Sequence, residues 1–361
     1  MTIKYITGLF VSGFSGMLCL CMACFLIITV PALAQQPADI PIVDALGQPL
    51  ELSEPVSRVI CSGPGCLRLL SYLKAQDHVI AVDDMEARRP RFDARPYALA
   101  IPDYRDLPVF GGFRGRDDPE KILSLPALPQ VIFKTYPGMG HDPASLQKKT
   151  GIPVVVLDYG DLGENQALLY RSLSVAGQLL DRQDRARAVI QFFKDEIQSL
   201  ARRTADLSES RSCFVGGIAF KGPHGLLSTE PGYMPFALVN AANAAAGDRP
   251  RSGQVRNAIF SKEKLLQIDP DIVFLDLSTL QMGENQGALH EIRTDPVCQA
   301  LTSVRQGQVY GLLPYNWYTR NFGSVLANAW FVGQVLAPDR FTGIDPAAEA
   351  DRIYSFLLGA S

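Results

Sequence analysis

Short apolar runs alternate with amphipathic stretches along the chain after residue 52. Runs of strand length lie at 58–61, 78–82, 130–134, 154–157, 213–220, 272–276 and 308–312. Segments with helical periodicity lie between them, at 66–73, 143–150, 261–268 and 322–336. Strands that alternate with helices predict an α/β fold with mainly parallel sheets. Because the same order starts again after residue 212, the pattern predicts two similar lobes.

A long helical segment separates the two halves of the pattern. Between residues 182 and 203 apolar side chains recur at spacings of three and four, which indicates one amphipathic helix. At 1.5 Å per residue this helix would span roughly 33 Å, enough to connect two lobes. We predict an N-terminal lobe over 35–180, one bridging helix over 181–205 and a C-terminal lobe over 206–361. A ligand cleft is expected between the lobes.

An internal similarity supports two related lobes. Glu-Lys-Ile-Leu begins at Glu120 and Glu-Lys-Leu-Leu begins at Glu263, 143 positions later. Each segment has the pattern of a short helix that leads through a Pro-containing turn into a buried strand. The two glutamates therefore occupy equivalent positions in the two halves.

The first 34 residues have the pattern of an export signal. Lys4 is the only charge, residues 6–30 are apolar or small, and Pro-Ala-Leu-Ala ends at Ala34. This pattern predicts cleavage after Ala34 and an exported protein. Because the apolar run is long enough to span a bilayer, an uncleaved membrane anchor is the alternative. Loss of Lys4 changes the net charge from −3 to −4, and no basic run is present, so nucleic acid is excluded as a partner.

Four of the seven cysteines follow the signal, namely Cys61, Cys66, Cys213 and Cys298. In an oxidising compartment these cysteines can form disulfides. Cys61 and Cys66 bracket Ser-Gly-Pro-Gly and could close a small ring, although the sequence does not select a pairing. The alternative is that all four are small buried thiols. We predict no zinc site, because Cys-x-x-Cys and close Cys/His pairs are missing.

Sequence motifs of enzymes are mostly missing. The Gly-Pro-Gly turn after the first strand resembles a dinucleotide fingerprint, but Arg68 replaces the third glycine and Pro64 lacks an N–H. Walker A and Gly-x-Ser-x-Gly sequences are also missing. Asp83, Asp84 and Glu86 could act as an acid and a base, but a solvated acidic loop is the favoured interpretation. We predict no catalytic residue and no cofactor.

Aromatic and polar residues cluster in the segments that follow predicted strands, where open parallel sheets bind ligands. Tyr315, Trp317 and Tyr318 are costly to expose unless they contact a ligand, and the alternative is that they fill the core of their own lobe. Arg88, Arg89, Arg91 and Arg95 form either an ion-paired surface or a carboxylate-binding site. The candidate ligand-binding residues are Ser62, Arg95, Tyr97, Arg114, Tyr136, Tyr159, Lys221, His224, Glu230, Tyr233, Tyr315, Asn316, Trp317 and Tyr318.

These features together resemble the helical-hinge periplasmic binding proteins (class III, cluster A), the receptors of ABC importers for iron–siderophore complexes, haem and cobalamin. The resemblance covers residues 43–359 and is strongest to the branch of iron ABC-transporter substrate-binding proteins. The shared strings are Arg-Pro-Tyr-Ala at 95–98, Thr-Gly-Ile-Pro-Val at 150–154, Ser-Thr-Glu-Pro at 228–231 and Leu-Pro-Tyr-Asn-Trp-Tyr at 313–318.

The resemblance implies two lobes that flex slightly about the helix, one ligand in the cleft, no cofactor, and a monomer. It also implies one glutamate per lobe that contacts the transmembrane permease, and Glu120 and Glu263 match those positions.

We therefore predict an exported receptor that delivers a ferric chelate, siderophore-like or citrate-like, to an ABC importer. Fe³⁺ prefers oxygen ligands, which the chelator supplies, so the protein would contribute aromatic walls and charge. The alternatives are the same role for cobalamin, haem or an oxyanion such as molybdate. An anchored sensor domain and an exported enzyme are less favoured.

Overall fold

The computed structural model describes residues 42–50, 55–88, 92–205, 207, 211–247 and 257–360. The predicted signal, Arg89 and Arg91 lie outside the described residues. The strands are β1 (Ile42–Val43), β2 (Pro49–Leu50), β3 (Val59–Ser62), β4 (Val79–Asp83), β5 (Val109–Gly112), β6 (Arg116–Asp117), β7 (Val131–Thr135), β8 (Val154–Leu157), β9 (Ser212–Gly216), β10 (Ser228–Thr229), β11 (Ala242–Asn243), β12 (Ala258–Ile259), β13 (Ile272–Asp276) and β14 (Val309–Leu312).

The helices are α1 (Cys66–Tyr72), α2 (Asp84–Ala87), α3 (Pro96–Ala100), α4 (Pro119–Leu123), α5 (Pro143–Thr150), α6 (Gln166–Leu179), α7 (Gln183–Thr204), α8 (Met234–Leu238), α9 (Lys262–Ile268), α10 (Ala288–Thr294), α11 (Pro296–Ala300), α12 (Thr302–Arg305), α13 (Phe322–Leu336) and α14 (Pro346–Leu358). Short 3₁₀ helices cover Gln76–His78, Pro102–Asp106, Leu277–Met282 and Pro338–Phe341. Among the described residues, none of these helices combines the length and the apolar character needed to cross a membrane.

Six strands of the N-terminal half form one sheet in the order β6-β5-β4-β3-β7-β8. All neighbours are parallel except β5 and β6, which are antiparallel. Strands β3, β7 and β8 are buried along their whole length, which explains why they are continuous apolar runs rather than alternating ones.

Four strands of the C-terminal half form a second sheet, all parallel, in the order β11-β9-β13-β14. The α/β fold with parallel sheets that the sequence predicts is confirmed. The strand predicted over 213–220 is too long, because the chain leaves the sheet after Gly216 and forms a loop with Ala219 and Phe220.

Helix α7 lies in the chain between the two sheets. Its length of 22 residues corresponds to roughly 33 Å, and the helix predicted over 182–203 is confirmed. The predicted apolar stripe includes Val189, Phe193 and Leu200, which are buried, and α7 packs against α6 and α13. The buried Glu196 of α7 accepts a hydrogen bond of 2.8 Å from the indole of Trp330 on α13. The proposed lobe boundaries stay a prediction.

Cys61, Cys66, Cys213 and Cys298 are buried free thiols, so the structure does not contain the ring closed by Cys61 and Cys66. Both side chains pack in the main hydrophobic core around β3 and α1 and contribute as small apolar groups. Burial raises the pKa of the Cys61 thiol well above its usual value, and a hydrogen bond with Cys66 adds to the shift. The alternative of buried thiols is the arrangement that the structure shows.

Candidate functional site

A cleft of about 580 Å³ lies between the segments that follow the parallel strands of the two sheets. Its volume is within the range of small-molecule sites, roughly 300–1,000 Å³. The N-terminal half contributes Pro64, Met85, Phe113, Arg114, Tyr136, Met139, Tyr159 and Gly160. The C-terminal half contributes Ala219, Phe220, Lys221, Gly222, Glu230, Asn257, Asn316, Trp317, Tyr318, Thr319 and Arg320. The position agrees with the rule that parallel sheets bind ligands beyond the carboxyl ends of their strands.

Aromatic rings from both halves form the walls of the cleft. The rings of Tyr136 and Tyr159 stack with centroids 5.9 Å apart. The ring of Tyr318 lies 6.5 Å from that of Phe113 across the two halves. Trp317 is partly exposed to the cleft. Flat aromatic faces of this kind suit an organic ligand with planar groups.

Two cationic side chains face the cleft from opposite halves. Arg114 follows β5 and Lys221 follows β9, and both are exposed. Each lies over the ring of the preceding phenylalanine, at 5.2 Å from its centroid. Within the described part of the chain, neither side chain forms an ion pair with a carboxylate. Positive charge without a partner favours an anionic ligand.

The one acidic side chain among the described cleft residues is compensated within the protein. Glu230 is buried, and its carboxylate lies 3.0 Å from the guanidinium of Arg320. Tyr315 also donates a hydrogen bond to this carboxylate. Glu230 therefore does not cancel the positive charge of Arg114 and Lys221.

Several cleft residues have a backbone conformation that is unusual for residues with a Cβ atom. Left-handed φ angles occur at Arg114 (60°), Tyr136 (51°), Lys221 (57°), Tyr318 (50°) and Thr319 (69°). Each such conformation costs about 1–3 kcal/mol unless the surrounding structure imposes it, and such strain concentrates at functional sites. The cluster is an independent indication that this cleft is the site.

Residues 315–321, here called the aromatic loop, belong to the C-terminal half but bond to the N-terminal half. The Tyr318 hydroxyl donates to the Asp83 carboxylate and accepts from the Arg114 backbone N–H at 3.1 Å. The hydroxyls of Tyr136 and Thr319 lie 2.8 Å apart. Burial raises the pKa of Asp83 to about 6. These contacts tie the aromatic loop to the opposite wall of the cleft.

Eight of the fourteen predicted ligand-binding residues line the cleft. They are Arg114, Tyr136, Tyr159, Lys221, Glu230, Asn316, Trp317 and Tyr318. The Asn316 side chain donates a hydrogen bond of 2.9 Å to the Ala219 carbonyl. This bond joins two segments of the C-terminal half that line the cleft. Contact of these residues with a ligand stays a prediction.

Three predicted residues of the N-terminal half lie outside the cleft. Arg95 is fully buried and pairs with Glu86 at 2.7 Å and Asp93 at 2.6 Å, which neutralises its charge. The Tyr97 hydroxyl donates to Glu86 at 2.6 Å. Ser62 is buried and accepts a hydrogen bond of 2.9 Å from the Lys134 ammonium group. None of the three lines the cleft.

The described part of the basic cluster is therefore ion-paired, with Arg95 buried and Arg88 at the surface. Besides the buried pairs of Arg95, the exposed Arg88 pairs with Asp84 at 2.7 Å. Arg89 and Arg91 lie outside the described residues.

Three predicted residues of the C-terminal half also lie outside the cleft. Tyr315 and Tyr233 are buried in the core, with their rings edge to face at 5.1 Å. The alternative that the aromatic residues fill their own core is thus correct for Tyr315. His224 lies with Nε2 2.7 Å from the Phe220 carbonyl oxygen and stabilises its own loop.

Eleven further residues line the cleft without having been predicted from the sequence, among them Phe113, Phe220, Thr319 and Arg320. Phe113 and Phe220 directly precede Arg114 and Lys221, so an exposed aromatic residue beside a cation was an available signal. Thr319 and Arg320 continue the aromatic loop, and only the three-dimensional structure shows that they turn toward the cleft.

The two equivalent glutamates lie in matching positions outside the cleft. Glu120 is in the first turn of α4, capped by Asp118, and Glu263 is in the first turn of α9, capped by Ser261. Both side chains are exposed. The following strands are β7 and β13, as the repeated pattern predicts, but contact with a permease stays a prediction.

No group of three or more His, Cys, Asp or Glu side chains is placed to hold a metal ion within the described ranges.

Comparison with known proteins assigns the chain to a family. A family model described as periplasmic binding protein matches residues 59–315. No curated protein sequence matches the chain. A periplasmic solute binding protein from Veillonella parvula superposes with a TM-score of 0.67 at 17% identity, covering 89% of this chain and 93% of that one.

Two further similar structures are proteins with named ligands. The molybdate periplasmic binding protein MolA of Haemophilus influenzae gives a TM-score of 0.66 at 16% identity, covering 90% of this chain and 99% of its own. The periplasmic heme binding protein HutB of Vibrio cholerae gives a TM-score of 0.56 at 18% identity, covering 78% of this chain and 99% of its own. At these identities the likeness supports the fold alone.

The family match covers most of the chain, and the resemblance drawn from the sequence is confirmed. The chain belongs to the periplasmic binding proteins, which carry small-molecule ligands to the permeases of ABC transporters and hold no cofactor, the bound ligand being the substrate.

Proposed function

We propose that this protein binds an anionic ferric chelate, siderophore-like or citrate-like, and delivers it to an ABC importer. The observation that carries the proposal is the pairing of aromatic walls with two cations, Arg114 and Lys221, on opposite sides of a cleft of about 580 Å³. The rings would contact the organic part of the chelate, and the cations would contact its negative groups.

The size and lining of the cleft favour a chelate over a small oxyanion. A tetrahedral oxyanion fills little of this volume and is best held by converging N–H donors. The cleft instead offers rings from Phe113, Tyr136, Trp317 and Tyr318. Molybdate binding by the H. influenzae relative shows that its fold can hold an oxyanion, which keeps molybdate as a test ligand.

Haem is the second candidate, since its flat macrocycle and two carboxylates also suit aromatic walls and cations. Haem iron usually takes a protein side chain, such as His or Tyr, as an axial ligand. In the cleft the hydroxyls of Tyr136, Tyr159 and Tyr318 already make hydrogen bonds within the protein. A chelate in which the iron has its own oxygen ligands needs no such group, and it is therefore preferred.

The delivery step rests on the family and on two sequence features. The predicted signal over 1–34 would export the protein to the periplasm, and an uncleaved signal would instead anchor it there. Glu120 and Glu263 are proposed to contact the permease, one from each half of the molecule.

The first test is a titration of the purified protein by tryptophan fluorescence with ferric citrate, a ferric tris-catecholate siderophore, haem, cobalamin and molybdate. We expect saturable binding of one ferric chelate. Arg114→Gln and Lys221→Gln should each weaken it about tenfold, the size of one charge-assisted contact, and should reduce its salt dependence.

Arg116→Gln is the matched control. Arg116 is exposed and lies 5.7 Å from the same Phe113 ring, but it does not line the cleft. Its removal should leave the affinity unchanged. Full affinity in the Arg114→Gln/Lys221→Gln double variant, or binding of cobalamin or molybdate in place of every ferric ligand, would contradict the proposal.

A further inference from the structure

We infer that Arg68 is a positioning residue that holds the aromatic loop in its ligand-binding conformation from behind the cleft. The inference rests on the proposed function, because it assigns the aromatic loop to ligand binding. Arg68 does not line the cleft itself.

Arg68 lies on α1 of the N-terminal half, and only 1% of its surface is exposed. Its guanidinium reaches across to the C-terminal half and donates to the carbonyl oxygens of Arg320 at 2.7 Å and Trp317 at 3.1 Å. A longer contact of 3.4 Å joins it to the Tyr318 carbonyl. It also donates to the hydroxyl of Tyr159.

Three carbonyl groups of the aromatic loop thus converge on one buried cation. In an extended strand neighbouring carbonyls point to opposite sides, whereas here the chain departs from that conformation, since Tyr318 and Thr319 have left-handed φ angles of 50° and 69°. With the carbonyls turned toward Arg68, the side chains of Trp317, Tyr318 and Thr319 face the cleft. The bonds to Arg68 offset the cost of the strained backbone.

The hydrogen-bond partners of the guanidinium in the described structure are neutral oxygens, a hydroxyl and three carbonyls. A buried cation is costly unless its donors are paired, so the folded state favours loop conformations that present these carbonyls. The guanidinium also lies 4.9 Å from the Tyr97 ring and 5.8 Å from the Tyr159 ring.

The planar fork of arginine is required for this contact. Its two terminal nitrogens divide their bonds between Arg320 and Tyr159 on one side and Trp317 and Tyr318 on the other. A lysine ammonium is a single point and cannot span these partners. Tyr159 strengthens the arrangement, since its hydroxyl donates to the Arg320 carbonyl at 2.5 Å.

The loop conformation can be followed without any ligand. The chain has two tryptophans, Trp317 in the aromatic loop and Trp330. Trp330 is buried and hydrogen-bonded to Glu196, so acrylamide quenching and red-edge emission report mainly Trp317. Arg68→Met should raise the quenching constant and shift the emission to longer wavelength. Its affinity for the ferric chelate bound by the unmodified protein should fall about tenfold or more, as expected for the loss of one or two hydrogen bonds that fix the loop.

Arg185→Met is the matched control. Arg185 is a partly buried arginine that also donates to carbonyls, those of Tyr72, Phe356 and Leu357, but it lies outside the cleft. Its loss should lower thermal stability while Trp317 quenching and chelate affinity stay unchanged. If Arg68→Met does not fold, Arg68→Lys is decisive and should give an intermediate shift.

A folded Arg68→Met or Arg68→Lys protein with unchanged Trp317 quenching and emission would overturn the inference, whatever its affinity. A clear Trp317 shift in a protein that binds none of the ferric chelates would support the positioning role and would contradict the proposed function instead. The two failures are therefore distinguishable.

Discussion

At the scale of single residues, Asp276 is an acid whose surroundings oppose its ionisation. It ends β13 with 1% of its surface exposed, and burial raises its pKa to about 7. One carboxylate oxygen accepts a hydrogen bond of 2.9 Å from the Ser278 backbone N–H, and the other has no partner within the described structure. The folded state thus holds the Asp276 proton more tightly than the unfolded chain does.

This shift predicts a pH-dependent stability. Because the folded protein binds more protons than the unfolded chain between about pH 4 and 7, the contribution of Asp276 falls as pH rises through that window, by up to about 1.4 kcal/mol per pH unit. Asp276→Asn should flatten the dependence of the free energy of unfolding on pH, measured by urea denaturation. Asp271→Asn should not, since hydrogen bonds from Ser212 lower the pKa of Asp271 and keep it ionised. An unchanged slope in Asp276→Asn would contradict the assignment.

Tyr315 and Trp317 are two positions apart and should respond oppositely to replacement. Tyr315→Ala removes a fully buried ring that donates to Glu230, and it should lower the free energy of unfolding by about 3–5 kcal/mol. Trp317→Ala should leave stability within about 0.5 kcal/mol, as for surface positions, and should weaken chelate binding. Urea denaturation and titration with the same ferric chelate measure the two effects, and strong destabilisation by Trp317→Ala would contradict the placement.

The sequence predicted which loops form the cleft but not which side chains in them face it. Tyr315 and Trp317 are both large aromatic residues in the same loop. Tyr315 points inward, where its hydroxyl donates a hydrogen bond to Glu230, 85 residues earlier in the chain. The contact between Tyr315 and Glu230 joins distant segments, and such pairing leaves no local pattern. Arg95 lies outside the cleft because its guanidinium is buried against Glu86 and Asp93, and its sequence neighbourhood does not show that it is enclosed.

At the scale of helices and strands, prediction was more successful where burial alone decides. Apolar runs such as β7 and β8 were found within one or two residues because both faces of these strands are covered. Strand β5 was missed, since Val-Phe-Gly-Gly has only two apolar side chains. Helix α14 was missed although Asp345 and Gly359 cap its ends. The order of strands in each sheet could not be read from the sequence, because it depends on pairings between distant segments.

Helices α4 and α9 give the docking proposal a test. Glu120→Lys and Glu263→Lys together should abolish uptake of the ferric chelate by cells while the affinity of the purified protein stays unchanged. The reason is that each carboxylate is exposed and lies outside the cleft. Glu284→Lys, at an exposed position on neither helix, is the control and should transport normally. Lost affinity in the double variant would show that the glutamates belong to the ligand site.

At the scale of the whole molecule, the contacts across the cleft limit its movement. Helix α7 lies in the chain between the two sheets and packs against α6 of the N-terminal half and α13 of the C-terminal half. The Asn321 side chain donates a hydrogen bond of 3.1 Å to the Ala94 carbonyl. The hydroxyls of Tyr318 and Thr319 also form hydrogen bonds with the opposite half, to Asp83 and Tyr136. These hydrogen bonds join the two halves directly.

We expect little change of shape on ligand binding. Small-angle X-ray scattering of the protein, with and without a saturating ferric chelate, should give radii of gyration that agree within error. Tyr318→Phe, which loses the bond to Asp83, should allow a larger radius only in the ligand-free state. A marked compaction of the unmodified protein by the chelate would show that the cleft opens widely.

Gly65 lies between the Tyr159 ring and the aromatic loop, with φ at 75°, and a methyl group there would overlap both the Tyr159 ring and the Thr319 methyl. A single hydrogen atom is all that fits between the start of α1 and the aromatic loop. Any larger side chain at position 65 would therefore displace the aromatic loop or the Tyr159 ring and change the shape of the cleft. The position of the aromatic loop thus depends on a residue that does not itself line the cleft.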